Sequence, residues 1–319
     1  MMFHNMIFAW FLILSLLMAL SSSSLFFLWI CLEVNIMSFI PLMHSKNLMN
    51  MNSTMMYFLI QSTASSIFIL SVSLYWMNPL MIQYLEILIM ISMLIKLGVA
   101  PFHIWFPQIS EGITFSSLGI LLTVQKVIPL YIMMSFKSKS IILFIILSSI
   151  TGSMGGFNQF SIRKILAFSS ISHLAWILSL LMINSNFWLI YLSIYSIITF
   201  MIIIMIKTNN INTFNFNKKI NNEINLMLII LLLSLGGMPP MIGFVMKWIA
   251  LKIISNYYIA LMIPLILSSL INLFFYLRLS YNSFLKHMIF NKWNPSFNYK
   301  MISMILPQIL MIFSMITFI

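Results

Sequence analysis

Lys96, Lys126 and Lys247 each sit inside a long apolar run, in ISMLIKLGVAPF, LLTVQKVIPL and GFVMKWIALK, and Glu33 sits inside another, LWICLEVNIM. An ionisable side chain held in hydrocarbon costs about 2.5–3.5 kcal/mol on insertion scales and is by default a candidate functional group. A desolvated ammonium is disfavoured against the neutral amine, and a nearby carboxylate restores the charged form. One pKa unit corresponds to about 1.36 kcal/mol, and moving a unit charge through 100 mV takes about 2.3 kcal/mol. Changes of roughly two or three units in proton affinity therefore match the work of carrying a proton across a membrane. Three cations and one anion of this kind point to ion or proton movement.

Lys96 needs a partner. Glu86 lies on the same run ten residues earlier, about 15 Å away along a helix axis and rotated off its face, so Glu33 is the better candidate. His103 follows Lys96 by seven residues and would share nearly the same face if the helix continued, extending a relay toward Lys126. His173, in AFSSISHLAW, is a second histidine of suitable type. Each residue also has a plainer reading. The lysines could tie helices together or snorkel, Glu33 could be a static counter-ion, and the histidines could be satisfied core residues.

The elements that must position these groups are membrane spans. The chain has 319 residues, 62% hydrophobic and only 6% charged, with net charge +12, and a mean hydropathy of +1.07. A soluble surface needs far more charge, so the expected class is an all-α, polytopic transmembrane bundle. Spans need about 20 apolar residues each. Eleven such runs are expected, at about 3–20, 24–43, 54–77, 80–104, 113–136, 139–157, 164–184, 187–207, 224–254, 258–283 and 300–319. Short connections join them, the longest being a polar surface loop from Thr208 to Asn222. With no linker in view, residues 1–319 are expected to form a single transmembrane domain.

Two runs contain breakers. Gly98 and Pro101 interrupt the fourth just past Lys96, while Gly236, Gly237, Pro239, Pro240 and Gly243 precede Lys247 in the ninth. Irregular backbone at membrane depth survives only inside protein or along a wet cavity, and paired interrupted helices point to a transport site. Gly152 and Gly156 form a small-xxx-small pattern expected to serve close helix packing.

Connections on the face of the N-terminus hold nine cations (Lys46, Arg163, Lys164, Lys207, Lys218, Lys219, Lys286, Lys292 and Lys300) against three (Lys137, Lys139 and Lys252) on the other. The positive-inside rule then puts the N-terminus on the matrix or cytoplasmic side. The cationic surplus is explained by topology, so no nucleic acid partner is expected. The single cysteine, Cys31, makes an all-protein iron–sulfur site implausible, and no phosphate loop, metal-ligand spacing or nucleophile motif is present. Tyrosines and tryptophans are expected to lie mainly in interfacial belts.

At these motifs the chain resembles the subunit 2 family of mitochondrial NADH dehydrogenase, the antiporter-like membrane subunits of respiratory complex I. The matching stretches are LEVN around Glu33, YFLIQSTAS from Tyr57, MLIKLGVAPFHIWFPQISEGI from Met93 and LLTVQK ending at Lys126. GGFNQFSIRKILAFSSISHLAW from Gly155, SLGGMPPMIGFVMKW from Ser234 and LINLFFYLRLSY from Leu270 continue the match in order. The resemblance implies an antiporter-like fold lacking three N-terminal helices of bacterial relatives. It implies proton translocation through a Glu33–Lys96 pair, a central Lys126 and a terminal Lys247, with His103 and His173 on the hydrophilic axis. It implies that NADH, FMN, iron–sulfur clusters and ubiquinone belong to other subunits, with no cofactor in this chain. Partners would be other complex I subunits, especially neighbouring antiporter-like ones, and lipids of the mitochondrial inner membrane, the N-terminus on the matrix side and the C-terminus in the intermembrane space. Two rivals stay open: a stand-alone cation/proton antiporter and a structural scaffold.

Overall fold

The computed structural model describes residues 2–77, 81–136, 138–183, 185–208, 222–239 and 241–290. The expected run at 300–319 and nearly all of the expected loop at 208–222 lie outside the described residues, as do Lys137, Lys218, Lys219, Lys292 and Lys300.

Among the described residues every regular element is a helix or helical turn, as lipid requires: backbone N–H and C=O groups in hydrocarbon must pair within their own segment. The helices are α1 (Met2–Ser21), α2 (Leu25–Met43), α3 (Leu48–Met77), α4 (Ile82–Leu97), α5 (Trp105–Gly112), α6 (Phe115–Leu122), α7 (Val127–Ser135), α8 (Ile141–Phe157), α9 (Ile162–Met182), α10 (Phe187–Thr208), α11 (Asn222–Gly236), α12 (Ile242–Ser255) and α13 (Ile259–Phe290). The first ten expected runs each coincide with one helix or with a broken pair of them. Among the described residues six stretches, taking Phe115–Ser135 as one, are long and apolar enough to cross a membrane.

Both expected breaks are present, between α4 and α5 and between α11 and α12. A third lies between α6 and α7, where Thr123 leaves helical geometry and Val124–Lys126 form one turn of 3-10 helix. Its sequence signal is Pro129. In an uninterrupted helix this proline would leave the carbonyl four residues earlier unpaired and push against it. Starting a new helix at Val127 puts Pro129 in a first turn, where no N–H is required.

The chain divides into two compact units, Met1–Ser148 and Ser149–Ile319. In the first, α1 packs on α2 and α7, α2 on α3, α3 on α4 and α5, and α4 on α7. In the second, α9 contacts α10, α12 and α13, while α11 packs on α10, α12 and α13. Here Gly152 of α8 lies against α9: a Cβ at that position would stand 2.6 Å from the Ser172 amide nitrogen. Gly152 thus serves close backbone approach, while Gly156 faces the Phe275 and Phe168 side chains.

Serines and threonines inside the helices turn their hydroxyls onto the carbonyl three or four residues back, as Ser92 does to Ile89, Ser110 to Pro107 and Ser234 to Leu231. This local bond lets a hydroxyl sit in an apolar layer without a distant partner. The outward side chains are large and apolar, Trp10, Leu17, Trp76 and Ile263 among them, a surface suited to lipid or to other membrane proteins. The belt expectation fails for part of the aromatics. Trp176, Trp188, Tyr57, Tyr191, Tyr195 and Tyr276 are fully buried, because rings this large fill wide gaps between helices, and the hydroxyls of Tyr57 and Tyr191 reach Gln125 and His173.

Candidate functional site

In the first unit, α4 ends in a Schellman cap. Gly98 takes the left-handed conformation (φ 69°), its N–H donates to the Ile95 carbonyl and the Val99 N–H to the Leu94 carbonyl. Carbonyls of that turn also accept from side chains: Gln61 Nε2 donates to Lys96 O at 3.3 Å, and Trp105 Nε1 donates to Ile95 O at 3.2 Å. Lys96 belongs to this last turn and is 6% exposed. The negative end of the helix dipole favours a cation there, by about 0.3–1 kcal/mol or somewhat more when partly buried. Its Nζ is buried with no hydrogen-bond partner.

Glu33 is half-buried on α2 and forms no hydrogen bond to the Lys96 Nζ. Lys126, 3% exposed, stands at the α6–α7 junction, between the negative end of one helix and the positive end of the next. Its Nζ lies 5.7 Å from the centre of the Phe106 ring, within cation–π range.

Lys96 and Lys126 line one small cavity with Tyr57, Gln61, Trp105, Phe106 and Gln125. The space open to a water centre is about 10 Å³, close to the ~10–15 Å³ needed for one water. Tyr57 donates to Gln125 Oε1 at 3.3 Å, and its ring meets Phe39 and Trp105 edge-on. The sequence reading did not single out Tyr57, Gln61 or Gln125. Their signal was available: polar side chains inside apolar runs, one of them adjacent to Lys126.

His103 is placed elsewhere. The helix does not continue past Gly98, and residues 100–104 form turns before α5 begins. The face His103 would have shared with Lys96 is therefore lost. It is half-buried, its Nδ1 lies 3.2 Å from the Pro101 carbonyl oxygen, and it does not line the cavity.

In the second unit, α11 ends in the same cap as α4. Gly237 takes φ 85°, its N–H donates to Ser234 O, and the Met238 N–H donates to Leu233 O. From α12, Lys247 (6% exposed) donates to Gly236 O at 2.8 Å and to Leu235 O at 3.3 Å. The ammonium thus closes the carbonyl end of the preceding half-helix, again at the negative end of a dipole.

His173 on α9 is 1% exposed, and its Nδ1 lies 2.9 Å from the Tyr191 hydroxyl. Its ring is 4.9 Å from that of Tyr195. One residue earlier on α9, Ser172 accepts from Asn272 Nδ2 at 2.6 Å. The His173–Tyr191 contact and the separate Ser172–Asn272 bond thus place buried polar groups among α9, α10 and α13, and imidazole and hydroxyl side by side can exchange a proton.

Comparison with known proteins adds ancestry to this geometry. The family model described as NADH:quinone oxidoreductase/Mrp antiporter, TM, matches residues 22–272. Curated proteins named NADH-ubiquinone oxidoreductase chain 2 are 42% identical over 316 residues in Anopheles gambiae, covering 94% of this chain and 92% of that one. The protein of the same name in Rhipicephalus sanguineus is 43% identical over 291 residues, covering 91% and 92%. Among solved structures, a chain of respiratory complex I from Thermus thermophilus with bound Aureothin superposes with TM-score 0.83 at 18% identity, covering 97% of this chain and 77% of that one. A chain of the Mrp complex from Dietzia gives 0.73 at 18% identity, covering 83% and 57%.

Proposed function

The chain belongs to the NADH:quinone oxidoreductase/Mrp antiporter transmembrane family, and on that premise we propose that it is a proton-translocating membrane subunit of NADH:ubiquinone oxidoreductase, respiratory complex I. The observation that carries the reading is that Lys96, Lys126 and Lys247 are all buried and each stands at a helix break. Lipid tolerates a break only where protein or water satisfies the backbone, and a buried amine beside one can bind and release a proton without reaching bulk solvent.

In this reading Lys96, Lys126 and Lys247 carry the protons. Glu33 biases Lys96 through its charge, and His173 with its tyrosine neighbours extends the path in the second unit. A change of charge or conformation in a neighbouring subunit would alter the influence of Glu33 on Lys96 and so its affinity for a proton. His103 would serve at the α4–α5 turn, outside the Lys96–Lys126 cavity. NADH, FMN, iron–sulfur clusters and ubiquinone would be handled by other subunits, antiporter-like neighbours would pack on the apolar exterior with lipids, and 1–319 would work as one transmembrane domain. The location would be the mitochondrial inner membrane, with the N-terminus in the matrix and the C-terminus in the intermembrane space. The cation asymmetry of the connections supports that orientation.

The test is Lys96→Ala and Lys247→Ala in the assembled complex, with assembly verified. Proton pumping and coupled NADH:quinone turnover should fall in both. Full coupled activity in both variants removes the proton role.

A further inference from the structure

Among the polar side chains on the Lys96–Lys126 cavity, Tyr57 and Gln125 have no part in the relay as described and are bonded to each other. Tyr57 is buried on α3, and its hydroxyl donates to Gln125 Oε1. That bond fixes which end of the amide faces where. With its oxygen engaged, Gln125 presents Nε2, which is buried without a hydrogen-bond partner, and the Lys96 Nζ is in the same condition. A buried donor left unpaired is destabilising. One water oxygen has two lone pairs and can accept from both donors. The cavity they line, about 10 Å³ in the space open to a water centre, is at the scale of a single water.

We infer that Tyr57 and Gln125 position one water that passes a proton from Lys96 to Lys126, an assignment that rests on the proton-relay reading above. The Lys96 ammonium gives a proton to the water oxygen while that water gives one of its own to the neutral Lys126 amine. An N–H bond breaks at Lys96, another forms at Lys126, the water is regenerated, and no electrons change hands. Donation from Gln125 Nε2 and Lys96 Nζ fills both lone pairs of the water, so its hydrogens point away from them and one can face Lys126. Tyr57 prevents the amide from flipping. A flipped amide would turn its oxygen to the water and draw a water hydrogen toward Gln125 instead. Both are positioning residues, acting through the water.

Tyr57→Phe keeps the ring contacts with Phe39 and Trp105 and removes only the hydroxyl; Gln125→Glu keeps the size and replaces the donor by an acceptor. Each variant, in the assembled complex in sealed vesicles, is measured for NADH-driven proton pumping and coupled turnover in H₂O and D₂O. We expect pumping to fall about tenfold, a part of the ~10²–10⁴ that placed proton transfer contributes. The solvent isotope effect on turnover should rise in both, because the proton step becomes rate-limiting; a merely structural defect would leave it unchanged. Wild-type pumping with an unchanged isotope effect in either variant overturns the assignment. Lys96→Ala, run alongside, separates the two readings: if it pumps normally, the relay itself fails. If it loses pumping while Tyr57→Phe and Gln125→Glu retain it, only the positioned water fails.

Discussion

The Lys247 ammonium donates to the Gly236 carbonyl at 2.8 Å and so bonds the last turn of the half-helix that ends eleven residues before it. The charge on Lys247 and the geometry of the α11–α12 break are therefore one structural unit. A hydrogen bond from a charged donor contributes about 1.5–3 kcal/mol. Lys247→Ala should loosen the junction, speeding hydrogen exchange at the Gly237 and Met238 amides about tenfold or more. Exchange mass spectrometry of the assembled complex checks this. A purely structural lysine would change exchange alone; a proton carrier would change pumping with it.

Lys96 and Lys126 share one cavity, so their effects should not add. Groups that act as a unit lose most of their function with the first deletion. The Lys96→Ala/Lys126→Ala double variant should therefore pump little less than the worse single variant. Strictly multiplicative losses in a pumping assay would mean that the two amines act separately.

Gly98 holds the end of α4 in a left-handed conformation that costs an L-residue about 1–2 kcal/mol. A Cβ there would also meet the Phe106 Cβ and Cδ2 at 3.2 Å. Gly98→Ala should lower the thermal stability of the subunit in the complex by this strain and displace the Lys96 turn. Gly98→Asn, a residue more tolerant of that region, should be milder in the same thermal assay. Equal stability in all three would rule out strain at this cap.

Tyr191→Phe removes the hydroxyl that lies 2.9 Å from His173 Nδ1. With His173 wholly buried, loss of this partner should destabilise the second unit by about 1–3 kcal/mol. Differential thermal inactivation of the assembled complex would read it. An unchanged inactivation midpoint would show that another group takes over the bond.

Much of the architecture is legible along the chain because hydrocarbon leaves the backbone so few choices. Runs such as 164–184 and 187–207 are visible as apolar stretches of spanning length, and Gly98 and Gly237 as points where a helix has to stop. The α6–α7 break was hidden because its cause, Pro129, lies six residues downstream of its effect at Thr123. The buried tyrosines were hidden for another reason: a ring on an apolar run looks the same whether it faces a headgroup or a neighbouring helix.

The amino-acid order alone determined the class, the helices and the identity of the buried charges, since each follows from local cost: about twenty apolar residues per span, and several kilocalories for an ion that must earn its place. Only the tertiary structure decided which of those charges meet. Helix packing brings Lys96, Lys126, Tyr57 and Gln125 onto one cavity from three separate segments, turns Lys247 back onto the carbonyls of α11, and leaves His103 outside. Those relations depend on crossing helices and on where each break redirects the chain. Both are set by side-chain packing between distant segments, which no single apolar run records.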